Sequence, residues 1–153
     1  MATRSTIALE FADGTVQQVY CHWDGYLENN GAILQGHYSD PFKLRDLIDL
    51  GDISSLKPQV GEKHAFSQFE TTMSSEEYDK LYGEMTTFYG RDRGEKDTEA
   101  KKFADFADYV ENFAHEEYAY ILRKDGNWYV KCHSADFVPL VEALQGVNVL
   151  ETA

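Results

Sequence analysis

An α+β fold, with two antiparallel β-hairpins in one sheet packed by four to five helices, is predicted by three features of the sequence. Two Asp-Gly turns, Asp13-Gly14 and Asp125-Gly126, each stand between stretches rich in β-branched and aromatic residues, a strong hairpin signal. Capped segments with helical apolar spacing lie between and after them. Strands and helices do not alternate one for one, and tight hairpins demand antiparallel pairing, which argues against a doubly wound sheet. Helices are expected on one face of that sheet. The 153 residues suit a single domain over 1–153, because ordinary domains run to roughly 100–150 residues.

Taken in order, Thr6 to Phe11 and Val16 to Trp23 make the first hairpin. Tyr26 to Tyr38 places Leu27, Ile33, Leu34 and Tyr38 near helical spacing, weakened by Gly31 and Gly36. Ser39-Asp40-Pro41 caps a second helix, Phe42, Leu44, Leu47, Ile48 and Leu50 form its stripe, and Gly51 stops it. From Asp52 to Thr72 the sequence reads as loop with at most one short strand, over His64 to Phe69. Ser74 and Glu77 form a capping box for a helix carrying Tyr78, Leu81, Tyr82 and Met85. Thr86 to Asp97 breaks pattern around Gly90 and Gly94.

A long helix is expected from Thr98 to Ala114, with Phe103, Phe106, Ala107, Val110, Phe113 and Ala114 inward and Lys101, Asp105, Asp108 and Asn112 toward water. Glu117 to Leu122 and Trp128 to Cys132 then give the second hairpin. Asp136 to Leu144 closes as a helix with Pro139 in its first turn. Cys21 lies eight residues after Asp13, whereas Cys132 lies seven after Asp125. That odd offset predicts opposite sheet faces for the two cysteines unless a bulge intervenes.

The 27 acidic against 14 basic residues leave a net charge of −13. Direct binding to nucleic acid or an anionic membrane is disfavoured, because both need a cationic face. With 42% apolar and 14% aromatic residues the chain has the composition of a folded protein. Two distant cysteines do not make a disulfide framework. No cationic-then-apolar leader opens the sequence, and the longest apolar run, Val138 to Leu144, is far short of the roughly 20 residues a membrane span needs. A cytoplasmic protein with free thiols is expected.

Four stretches carry a resemblance: TRSTIALEFADGTVQQVYCHWDGY at residues 3–26, HYSDPFKLRDLIDLGDISSL at 37–56, TTFYGRDRGE at 86–95 and EYAYILRKDGNWYV at 117–130. Together they resemble a family of small uncharacterised proteins encoded by bacteriophages and prophages. The resemblance covers most of the chain and implies no catalytic residue. It implies an accessory protein that works in the host cytoplasm by binding a host protein, with inhibition of a host defence or of nucleic-acid-handling machinery as the class of action.

The residues offer four constellations. Cys21, His22, Asp24, His37, Cys132 and His133 contain metal-ligating types, but adjacent Cys and His on a strand point to opposite faces and no Cys-x-x-Cys or His-x-x-x-His spacing exists. No metal or cofactor is therefore expected. A nucleophilic Cys21 or Cys132 would need an electropositive setting that this chain supplies poorly, and no catalytic motif is present, so no catalytic residue is assigned. In the loop Tyr89-Gly90-Arg91-Asp92-Arg93-Gly94-Glu95, Arg91 and Arg93 could fork onto an anion beside Tyr89, or be neutralised by the acids around them.

Fourth, acidic residues crowd the stretch 62–117, and carboxylates on a rigid helix can imitate phosphates. The same acidity also serves solubility. In the mimic reading Asp105, Asp108, Glu111, Glu116 and Glu117 bind a basic groove, with Trp23, Tyr26, Tyr89, Trp128 and Tyr129 as aromatic anchors. The expected function is that of an acidic inhibitor of a host protein. The alternative is a protein that binds a small anion or nucleotide through Arg91, Arg93 and Tyr89.

Overall fold

The computed structural model describes residues 3–113, 117–132 and 136–152, the side chains of 147–152 excepted. β1 (Ser5–Glu10) and β2 (Val16–Cys21) lead through a π-helical turn, Leu27–Gly31, into α1 (Ala32–His37), α2 (Pro41–Asp49) and β3 (Ile53–Ser55). After a 3₁₀ turn at Gln68–Glu70 come α3 (Ser75–Tyr82), β4 (Thr87–Phe88), α4 (Tyr89–Arg93), β5 (Lys101–Phe103) and α5 (Phe106–Asn112). β6 (Tyr118–Leu122), β7 (Trp128–Cys132), β8 (Val138–Pro139) and α6 (Leu140–Thr152) complete the order.

The two hairpins do share one sheet, but that sheet is mixed and extends to eight strands, and six α-helices rather than four to five are found among the described residues. The strand order is β4-β3-β2-β1-β6-β7-β8, and β5 also pairs with β2. The first strands of the hairpins lie side by side and parallel, Ile7 opposite Tyr120 and Leu9 opposite Leu122. A parallel neighbour requires a long crossover, which residues 22–117 provide. The outer flank of β2 is divided between two strands: Val16 to Gln18 pair with β5, and Cys21 pairs with Ile53 of β3.

Both faces of the sheet are covered, rather than one. On the first, Ile7, Leu9, Val19, Tyr120, Leu122 and Val130 pack against Leu34 of α1, Leu44, Leu47 and Ile48 of α2 and Leu140 of α6. On the second, Ala8, Val16 and Ile121 pack against Tyr109 of α5 and Phe113 just after it, with Phe103, Phe106 and Phe137 around them. Burial on both sides explains why β1 is buried along its whole length and shows only loose alternation.

Cys21 and Cys132 lie on the same face, contrary to the offset argument. Cys21 opposes Ser5, Ser5 opposes Tyr118, and Tyr118 opposes Cys132, one row across four strands. The reason is phase. Glu10 pairs with Val16 at the first turn, but Leu122 pairs with Trp128 at the second, and Leu122 aligns with Leu9 instead of Glu10. The second hairpin is displaced by one residue, which cancels the odd spacing without a bulge.

Helix α2 follows its signals: the Asp40 side chain accepts from the Phe42 amide at 2.9 Å, Pro41 opens the helix, and Gly51 leaves it at φ 87°. Phe42, counted in the apolar stripe, instead projects outward and is 68% exposed. Ser74 caps α3 by accepting from the Glu77 amide. The expected helix from Thr98 to Ala114 is divided. Lys101–Phe103 is drawn into the sheet by the open flank of β2, and Asp105, in extended backbone at φ −159°, starts a separate helix. Ala114 lies outside the described residues.

Three further corrections share one cause, pairing with distant strands. Pro139 sits in β8 opposite Tyr129, at the sheet edge where a missing amide is tolerated, and α6 begins after it. The short strand of the Asp52 to Thr72 stretch is Ile53–Ser55, while His64 to Phe69 contains no strand. The patternless Thr86 to Asp97 stretch forms β4 and α4, closed by Gly94 at φ 75°.

Candidate functional site

The acidic candidates separate into carboxylates that hold structure and carboxylates that do not. Asp105 caps α5, its Oδ1 accepting from the Asp108 amide at 2.8 Å. Asp108 returns the contact one residue further out, Oδ2 accepting from the Ala104 amide at 2.8 Å while Oδ1 accepts from Asn112 Nδ2 at 2.8 Å. This is an N-terminal cap with two acids, favourable beside the positive end of the helix. Glu111, one turn on from Asp108, is exposed and makes no polar contact among the described residues. Glu117, just before β6, is likewise exposed. Glu116 and His133 lie outside the described residues.

Across the described residues, ion pairing touches few acids. Arg91 and His64 approach Asp92, Arg93 meets Glu95 at 3.6 Å, and Arg123 meets Glu10 at 2.9 Å. Of these acids, Glu10 and Asp92 are buried. Along α3, Glu76, Glu77 and Asp79 stand exposed on a helix with no buried residue, and Glu84 follows it. The surface charge is therefore left to act outward.

Arg91 turns its fork into the protein. Nε and Nη2 donate to Asp92 Oδ1 and Oδ2 at 3.0 and 3.1 Å, Nη1 donates to the Val60 and Gly61 carbonyls, and Nη2 also donates to the Thr86 carbonyl at 2.8 Å. All five N–H groups of a guanidinium are thus used internally. Asp92 in turn accepts from the backbone amides of His64 and Phe88 at 3.1 and 2.8 Å. The pair staples the irregular segment around residues 60–64 to β4. Arg93 is exposed, lying over the Phe66 ring at 4.9 Å, and Tyr89 packs on the same ring at 5.6 Å. The three candidates for anion binding share a segment, but the geometry does not aim them at one point.

Sequence reasoning missed His64. It is buried, with Nδ1 2.8 Å from the Glu62 carbonyl and Nε2 3.2 Å from Thr87 Oγ1. The carbonyl can only accept, so Nδ1 is the donor in that contact, while the Thr87 hydroxyl can pair with Nε2 in either direction. Asp92 stands farther off, at 3.8 Å from Nδ1. The ring is covered by Tyr82, stacked at 5.0 Å, whose neighbour Tyr78 donates its hydroxyl to the Ala65 carbonyl at 2.6 Å. These contacts anchor α3. They leave a groove of about 630 Å³ between α3 and β4, edged by Lys57, Phe66 and Tyr78. A lone histidine in a loop of weak periodicity gave no signal for this.

The cysteine and histidine candidates do not assemble. With three strand intervals between them, Cys21 and Cys132 are about 14 Å apart, beyond disulfide reach or a shared metal. Cys21 is fully buried, accepts from Asn30 Nδ2 at 3.4 Å, and burial pushes its thiol up to about 11. Burial also raises the Cys132 thiol. His22 bonds to the Tyr20 hydroxyl at 2.6 Å, whereas Asp24 and His37 are exposed elsewhere on the surface. Among the described residues no three His, Cys, Asp or Glu side chains stand close enough to hold a metal ion.

Of the aromatic candidates, Trp128 belongs to the core, its Nε1 donating to the Tyr38 carbonyl at 3.3 Å. Trp23 is 45% exposed. Among the described residues no helix is long and apolar enough to cross a membrane. Comparison of the chain with protein-family models, curated proteins and solved structures finds no match.

Proposed function

We propose that the protein acts by binding, its unpaired acidic surface engaging the basic groove of a partner that handles nucleic acid. The observation that carries this reading is the separation of carboxylates: those in ion pairs are few and largely buried, while exposed acids on α3, on α5 and before β6 form no ion pair among the described residues, Lys80 being the one cation on α3. Such a surface projects a negative field that steers basic partners, as nucleic acid does. Glu111 and Glu117 are best placed to give up solvent for a partner, since neither side chain is committed to the fold among the described residues. Asp105 and Asp108 add charge beside Glu111 but also cap α5.

Together with the resemblance to phage-encoded proteins, this makes the proposed partner a host defence protein or another host protein that binds nucleic acid. The mode of action would be occlusion of its ligand groove. Capture from bacterial lysate tests it, with wild-type protein and a Glu111→Lys, Glu117→Lys variant as parallel baits. A partner specific to the wild type, depleted at least about tenfold by the charge reversal and by added salt, supports the reading. Equal capture by both baits contradicts it.

A further inference from the structure

We propose a second, independent site: a cavity that binds a small amphipathic anion, an apolar chain or ring ending in a carboxylate. A cavity of about 290 Å³ opens where the turn ends of both hairpins meet the first turn of α2. Leu9 and Leu122 from the sheet, Phe11 at the start of the first hairpin turn and Phe42 from α2 give it apolar walls. Phe42 is otherwise hard to explain. Its helix mates Leu44, Leu47 and Ile48 are fully buried, yet its ring is 68% exposed at the cavity mouth.

The rim adds charge of the opposite sign to the rest of the chain. Arg45, Arg123 and Lys124 line the cavity, and Glu10 is its sole lining acid. Glu10 is already satisfied by Arg123 and by the Lys124 amide. Arg45, whose guanidinium lies 5.5 Å from the Phe42 ring, and the Lys124 ammonium stand in no ion pair among the described residues. Two cations in no direct ion pair among the described residues, set over an apolar cavity in a chain of net charge −13, select an anion with an apolar body. Apolar walls with a few charged groups at the mouth are the usual form of a small-molecule site. The walls come from strand ends and a capped helix, so the cavity is preformed and little ordering is needed on binding.

The test is a titration followed by amide chemical shifts, with octanoate, octanol and octylammonium as probes on the full chain. Octanoate is expected to move the amides of Phe11, Phe42, Arg45 and Lys124. Octanol is expected to bind about tenfold more weakly, and octylammonium to leave those amides in place. An Arg45→Glu, Lys124→Glu variant should weaken octanoate to the level of octanol without changing octanol itself. Ala12→Trp, at an exposed lining position, should fill the cavity and abolish both. Octanoate that leaves these amides unmoved, octylammonium that matches octanoate, or binding unaffected by Ala12→Trp would each overturn the proposal. None of these outcomes bears on Glu111 or Glu117, so the acidic surface is tested separately.

Discussion

Glu10 and Arg123, 113 residues apart in the chain, clamp the turn ends of the two hairpins together. Arg123 Nε donates to Glu10 Oε1 at 2.9 Å and Nη2 to Oε2 at 3.4 Å, while the Lys124 amide donates to Oε1 at 3.0 Å. The same guanidinium lies 3.5 Å from the centre of the Phe106 ring. One side chain therefore connects β1, the end of β6 and the aromatic layer formed by α5.

This clamp sets an acid limit on stability. Burial pushes the Glu10 carboxyl up, but the Arg123 hydrogen bond, the Lys124 amide and their charges outweigh it, so its pKa is lowered below the ordinary value of 4.5. A lowered folded pKa gives a contribution that is complete above the ordinary value and lost as pH falls through the folded one. Glu10→Gln is expected to cost about 1–3 kcal/mol near neutral pH and to flatten the acid side of the stability curve. Urea unfolding across a pH series measures both.

The Arg91–Asp92 pair predicts a sharper loss. Arg91→Ala leaves Asp92 buried without its cation, a change that typically costs about 3–5 kcal/mol, and frees the carbonyls of Val60, Gly61 and Thr86. Arg91→Lys should recover only part, because an ammonium cannot reproduce the fork. Arg93→Ala, on the exposed side of α4, should stay within about 0.5 kcal/mol. Unfolding midpoints of the three variants decide this, and equal effects of Arg91→Ala and Arg93→Ala would contradict it.

Capping separates charge from structure at α5. Asp105→Ala should destabilise by about 1 kcal/mol, whereas Asp105→Asn keeps the acceptor and should cost almost nothing. Thermal unfolding distinguishes them. The asparagine variant then removes one acid from the surface while leaving the helix intact.

The two thiols should differ in reactivity. Iodoacetamide at mildly alkaline pH is expected to modify half-buried Cys132 slowly and Cys21 only after unfolding, because Cys21 is sealed in the core with its thiol raised to about 11. Mass spectrometry of the labelled protein reads the order. Labelling of native Cys21 at the rate of a free thiol would contradict the placement of that strand.

The local signals in the sequence were sound where structure is local. Both Asp-Gly turns, the Asp40-Pro41 start of α2, the Ser74 cap of α3 and the glycine stop at Gly51 are all encoded within a few residues. What pairing decides at a distance was hidden. Lys101–Phe103 reads as helix because Phe103, Phe106 and Val110 keep helical spacing, yet the open flank of β2 claims it. The parallel contact of Ile7 with Tyr120 has no local signature, and the one-residue displacement that brings Cys21 and Cys132 to one face follows from it. Arg91 and His64 show the same limit at the level of sites. Composition could mark Arg91 as an available cation, but only the fold reveals that its five donors are spent inside.

The central claim concerns the exposed acids, and the most direct measurement is competition by duplex DNA for the partner that the wild-type protein captures. If Glu111, Glu117 and their neighbours stand in for phosphates, DNA should release the partner in proportion to its concentration, and release should grow easier in the Glu111→Lys, Glu117→Lys variant. A partner that binds DNA and this protein simultaneously, with neither displacing the other, would contradict the account.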